Sequence, residues 1–125
     1  MKIVTVYHPN ESYRTFNVTK LVCTKWNYRS PFWPGTKFEG VTDFGQDIVS
    51  QIHRIDGVQE LGLDKYSFSV QKAEAFDWRD IELRLVNAIM ETANQFWPTE
   101  DIHTSIKDER RNCQESETLG GEDAE

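Results

Sequence analysis

Residues 78–97, WRDIELRLVNAIMETANQFW, constrain most what this chain can become. At about 100° per residue, Trp78, Ile81, Leu85, Ile89, Ala93 and Phe96 fall in one stripe, the periodicity of an amphipathic helix. Leu83, Val86, Met90 and Trp97 widen the stripe on one side, until the apolar arc exceeds half the circumference. A helix this wide either lies in a deep groove between a sheet and a loop or offers a flank to a partner. The groove is the expected arrangement. Asp77 stands at the N-cap, and Pro98, with no N–H to donate, stops the helix.

A sheet to receive that helix is written in period-two patterns. In KIVTVY, Ile3, Thr5 and Tyr7 alternate with Val4 and Val6. HPNES carries turn residues, and YRTFNV returns with Phe16 and Val18 on one face, so a hairpin is expected. TDFGQDIVSQIHRI places Phe44, Ile48, Ile52 and Ile55 at helical spacing behind Thr42 or Asp43 as N-cap, and Gly57 suits a left-handed stop. VQELGL reads as a weak strand. YSFSVQK reads as a clear one, with Tyr66, Phe68 and Val70 opposed to Ser67, Ser69 and Gln71. The order β-β-loop-α-β-β-α predicts a two-layer α+β domain, with a small, mostly antiparallel sheet and the helices on one face.

Charge divides the chain. The net charge is −7 over 125 residues, but residues 99–125 hold 3 Lys+Arg against 9 Asp+Glu, which leaves 11 against 12 for residues 1–98. The expectation is a folded domain at 1–98 followed by an acidic, disordered tail at 99–125, charged, Gly-containing and poor in core residues. A near-neutral domain is not built to neutralise a run of phosphates, so nucleic acid is not the expected partner. No segment approaches the roughly 18 apolar residues of a membrane span, and MKIVTVYHPNE has no apolar run of signal-peptide length. A cytoplasmic location without membrane contact is expected.

The residues that carry chemistry elsewhere are scattered here. His8 lies at a turn, His53 on the polar side of the first helix and His103 in the tail, outside any metal or nucleophile spacing. Cys23 and Cys113 form no C-x-x-C and read as unpaired thiols in a reducing compartment. Asp77 and Asp80 sit in a helix first turn, where the macrodipole already favours carboxylates. No enzyme activity, no metal site and no cofactor is expected.

The stretch KWNYRSPFWPGTKFEG, Lys25 to Gly40, is different. It interleaves Trp26, Tyr28, Phe32 and Trp33 with Lys25, Arg29 and Lys37, and its prolines and glycines exclude a helix or a long strand. Such a segment can close one end of the core, supply rigid aromatic anchors to a protein partner, or stack the bases of a single strand. The candidate partner-binding residues are Trp26, Tyr28, Arg29, Phe32, Trp33 and Lys37.

YHPNESYRTFNVTKLV resembles the opening of the Nfu N-terminal domain of the scaffold Nfu/NifU family. IVSQIHRIDGVQELGLDKYSFSVQKAEAFDWRDIELRLVNAIME resembles its later half, at Ile55, Gly57, Val58, Phe68, Val70, Lys72, Asp77, Trp78 and Ile89. The likeness spans about residues 1–96 and rests on structural residues. It implies the β-β-α-β-β-α order and an accessory role beside iron–sulfur cluster assembly. In that family cluster ligation belongs to a separate C-x-x-C domain, which has no counterpart in this sequence, so ligation does not carry over. The aromatic insert departs from the family pattern.

The function expected is therefore a non-catalytic protein-binding or accessory module, linked to iron–sulfur assembly. The alternatives are a small phage- or mobile-element-type binder or inhibitor acting through residues 25–40, and a single-stranded nucleic-acid binder using the same loop. The wide helix leaves either a monomer or a weak dimer open.

Overall fold

The computed structural model describes residues 1–24, 28–29 and 40–110. β1 (Lys2–Tyr7) and β2 (Tyr13–Val18) form the expected hairpin. Its turn is closed by the Asn10 side chain, whose Oδ1 accepts from the Ser12 N–H at 2.9 Å, the local bond that makes asparagine a turn residue. β3 is two residues, Tyr28–Arg29. α1 (Asp43–Ile52) starts at Thr42, whose Oγ1 accepts from the Gly45 N–H at 3.0 Å. β4 (Val58–Asp64) and β5 (Ser67–Lys72) follow, then α2 (Trp78–Phe96) and β6 (His103–Asp108).

The strands build one sheet in the order β3-β4-β5-β2-β1-β6. β1–β6 is parallel and the other neighbours are antiparallel. Register puts Ile3, Phe16, Val18, Phe68, Val70, Leu61 and Leu63 on a single face. All are buried in one cluster with Phe44, Ile48 and Ile52 of α1 and Ile81, Leu85 and Ile89 of α2. The fold is thus a small α+β one, with both helices on the same side of a mostly antiparallel sheet. Burying Phe16 or Phe68 completely contributes about 1.5–3 kcal/mol each. Phe44 meets Phe68, Phe96 and Trp97 edge-on at 6.4, 5.9 and 5.0 Å between ring centroids, the geometry aromatic quadrupoles favour.

Four expectations need correction. The segment after Pro98 is not a tail throughout: residues 103–108 form β6, along the whole of β1, so the domain boundary expected at 98 does not hold. β6 is held by backbone pairing rather than by burial, which is why HTSIKD gives no apolar signal. Lys20 Nζ, 2.8 Å from Glu100 Oε1, ties the approach to β6 down. Residues 111–125 lie outside the described residues. Tyr66 does not join Phe68 and Val70; it lies in the turn between β4 and β5 and is half exposed. α1 ends at Ile52, before the expected stop, and Gly57 (φ +97°) instead turns the chain into β4. A Cβ there would come within 2.8 Å of the Phe76 and Ile81 side chains. Finally, Asp77 occupies the N-cap position of α2, but its side chain makes no capping bond. The first turn is pinned instead by Trp78, whose Nε1 donates to the Glu11 carbonyl at 2.6 Å.

Candidate functional site

The aromatic stretch begins and ends on a closed stem. Cys23 and Val41 are bridged antiparallel. Thr24 donates to the Gly40 carbonyl through its N–H at 2.6 Å and its hydroxyl at 3.2 Å. Behind this clamp, the Val22 carbonyl accepts from the Thr42 N–H at 2.9 Å, and the Val22 N–H donates to Lys65 O at 2.7 Å. The stem is thereby fastened both to the start of α1 and to the β4–β5 turn. Cys23 is fully buried within it. Burial, with Asp64 adding to it, pushes the Cys23 thiol above its ordinary pKa, the opposite of what an activated nucleophile needs.

Of the six residues singled out in that stretch, Tyr28 and Arg29 pair with Leu63 and Gly62 of β4 as the edge strand β3. Trp26, Phe32, Trp33 and Lys37 lie outside the described residues.

A second surface lies at the other side of the sheet. A groove of about 550 Å³ runs between α2 and the β1–β6 pair, lined by Tyr7, Glu82, Leu83, Val86 and Ile106 among others. Here the wide arc of α2 resolves: Ile81, Leu85 and Ile89 are buried and Val86 half-buried, but Leu83 remains 66% exposed across from Ile106, 59% exposed. Among the described residues α2 is thus a wall of this groove rather than an occupant of one between sheet and loop, and its Leu83 flank is left open.

One end of the groove holds a polar cluster that sequence reasoning did not pick out. The Arg14 guanidinium is buried and paired with the Glu82 carboxylate. It lies 3.6 Å from the Tyr7 ring centroid and 5.1 Å from that of Trp78, so its charge meets a carboxylate in one direction and π-faces in others. The Tyr7 hydroxyl donates to the second Glu82 oxygen at 3.0 Å. Burial, then the hydrogen bond and charge of Glu82, hold the Tyr7 hydroxyl above its usual pKa. The signal was present in the alternation of YRTFNV: with Phe16 and Val18 facing the core, period two puts Arg14 there as well.

On the opposite sheet face, His8 Nε2 lies 2.7 Å from Thr15 Oγ1, which lies 3.3 Å from Ser69 Oγ. Glu109 approaches His8 Nδ1 only to 3.8 Å, beyond hydrogen-bond distance. The imidazole is thus not oriented as it would be in a nucleophile relay, and the chain reads as cross-strand pairing of β1, β2 and β5. Among the described residues no group of three or more His, Cys, Asp or Glu could hold a metal ion, and no helix is long and apolar enough to cross a membrane.

No protein-family model matches the sequence, and no curated protein is similar to it. The crystal structure of protein SAV1430 from Staphylococcus aureus, a structural-genomics target, is similar in fold. The TM-score is 0.51 at 16% identity, covering 70% of this chain and 98% of that one. At that identity the likeness carries the fold alone.

Proposed function

We propose that this chain is a non-catalytic protein-binding module that presents the aromatic and basic segment 25–40 to a protein partner. The observation that carries the reading is the closed stem. Thr24 and Gly40 clamp the two ends together, and β3 fixes part of the segment to the sheet edge at β4. Anchoring the ends lowers the ordering cost when the segment engages a partner. Trp, Tyr and Arg are the residue types that most often dominate protein interfaces. The resemblance to the Nfu N-terminal domain suggests where to look for that partner, among iron–sulfur assembly and client proteins.

The test is affinity capture with the full chain against a Trp26→Ala/Trp33→Ala variant, with quantification of each captured protein. A partner lost by tenfold or more with the variant supports the reading, since interface aromatics of this kind are each worth about 2 kcal/mol or more. If the two proteins capture identical sets, the segment is not the binding surface. A parallel titration with a fluorescent single-stranded oligonucleotide separates the other use of the same residues: tight, steeply salt-dependent binding would replace the protein reading with a nucleic-acid one.

A further inference from the structure

We infer that the outer edge of β6 is a homodimer interface, where β6 pairs antiparallel with β6 of a second copy about a two-fold axis at Ile106. The direction of the backbone comes first. The His103 N–H donates to Met1 O at 2.9 Å and the Glu109 N–H to Tyr7 O at 2.8 Å. In a parallel ladder alternate residues of one strand bond to a given neighbour. Residues 103, 105, 107 and 109 therefore turn their backbone groups toward β1, while Thr104, Ile106 and Asp108 turn theirs outward. Among the described residues β6 ends the sheet order, and all six of its residues are exposed. A straight six-residue edge without proline or bulge is a template for another strand, and soluble proteins usually blunt or cover such edges.

The identity of the second strand follows from register. Outward groups on two copies can meet with the axis at Ser105, Ile106 or Lys107. An axis at Ser105 sets His103 against Lys107. An axis at Lys107 sets that lysine against itself and Ile106 against Asp108. An axis at Ile106 sets Ile106 against Ile106, Thr104 against Asp108, Ser105 against Lys107 and His103 against Glu109. Only this register puts apolar against apolar and the acidic Glu109 beside the imidazole, with no cation facing a cation. Residues directly opposite share a face, so the Ile106 pair lies on the helix side. There it covers part of the apolar groove whose other wall carries the exposed Leu83. Two sheets of six strands then continue as one, with the helices of both copies on the same side.

A single strand pair buries less than the roughly 1,600 Å² of a standard stable interface, so the dimer is weak and its population follows concentration. Sedimentation equilibrium of the full chain from about 5 μM to 1 mM reads it. The wild type should move from monomer toward dimer mass. Ile106→Lys, at an exposed position, should weaken association at least tenfold without changing the melting temperature. Glu109→Lys should weaken it, and His103→Glu added to Glu109→Lys should restore it, because the exchange recreates the opposed pair in this register alone. If Ile106→Lys lowers the melting temperature, the charge exchange supplies the readout. A chain that stays monomeric at 1 mM overturns the inference and leaves the edge to a strand of a different protein. A dimer indifferent to both sets of substitutions overturns it as well. Trp33→Ala should leave the equilibrium unchanged, which separates this surface from segment 25–40.

Discussion

The two edges of the sheet are built on opposite plans. At one edge, β3 contributes two residues, and the chain on either side of it is the most aromatic stretch of the sequence, interleaved with Lys25, Arg29 and Lys37. At the other, β6 contributes six residues, all exposed, with Ile106 its one large apolar side chain. The first edge announces itself through side chains and offers little backbone. The second announces little through side chains and presents outward backbone groups, those of Thr104 and Ile106 among them. Recognition through anchors gives affinity by filling pockets, whereas recognition through a strand edge gives it by main-chain hydrogen bonds with side chains setting register. In the two proposals made above, one edge serves a protein partner and the other a second copy.

Removing β6 should have the largest effect on the fold. Truncation after Pro98 deletes a six-residue ladder along β1 and the Lys20–Glu100 pair. From sequence alone that cut should be harmless. With β6 in place it should cost about 2 kcal/mol or more, lowering the melting temperature by on the order of 10 °C. Differential scanning calorimetry of the two lengths decides. A loss under 2 °C would mean that β6 adds nothing to the fold and that the two edges do not differ as described.

β6 also marks the limit of what a sequence can display. Each element that buries a face was visible: β1, β2 and β5 by period two, α1 and α2 by period 3.6, and the weak strand β4 by its position. β6 was not, because an edge strand whose side chains all face water has no reason to alternate. Arg14 was legible in principle, since parity placed a charge on the core face, but its partner Glu82 is distant in sequence and only the fold brings them together. At segment 25–40 the sequence supplied residue types. The clamp between Thr24 and Gly40 joins positions too ordinary to attract notice beforehand.

Gly45 lies in the first turn of α1, and a Cβ added there would stand 2.4 Å from the Val22 carbonyl oxygen. That oxygen already accepts from the Thr42 N–H and cannot move away cheaply. Alanine usually favours a helix over glycine by about 1 kcal/mol. Here the overlap with backbone should outweigh it and leave a net loss of about 1–2 kcal/mol in urea unfolding. Because Val22 holds the stem, Gly45→Ala should also weaken capture through segment 25–40, while dimerisation of the folded protein through β6 stays unchanged. An equal effect on both would mean that the edges are mechanically coupled rather than independent.

The smallest effect belongs to Tyr7, which joins β1 to α2 at the β6 side. Its folded-state pKa is raised, by burial first and by the Glu82 carboxylate next. The folded protein therefore holds the phenolic proton more tightly than the unfolded chain does. Above about pH 10, the ordinary tyrosine value, the folded state binds more protons than the unfolded one, and stability falls as pH rises. Below that value the contribution is fully present, and it is lost as pH climbs through the folded-state pKa. Urea unfolding between pH 8 and pH 11 should show this decline, and Tyr7→Phe should flatten it in part, at the cost of the hydrogen bond to Glu82. Tyr7 and Ile106 both line the groove, yet the proposed pairing uses the outward backbone groups of β6, whereas the Tyr7 carbonyl takes the inward Glu109 N–H and the Tyr7 hydroxyl turns to Glu82. Tyr7→Phe should therefore change the slope of stability with pH and leave the monomer–dimer equilibrium at pH 7 where it was. If the equilibrium shifts as well, the groove and the edge act as one surface.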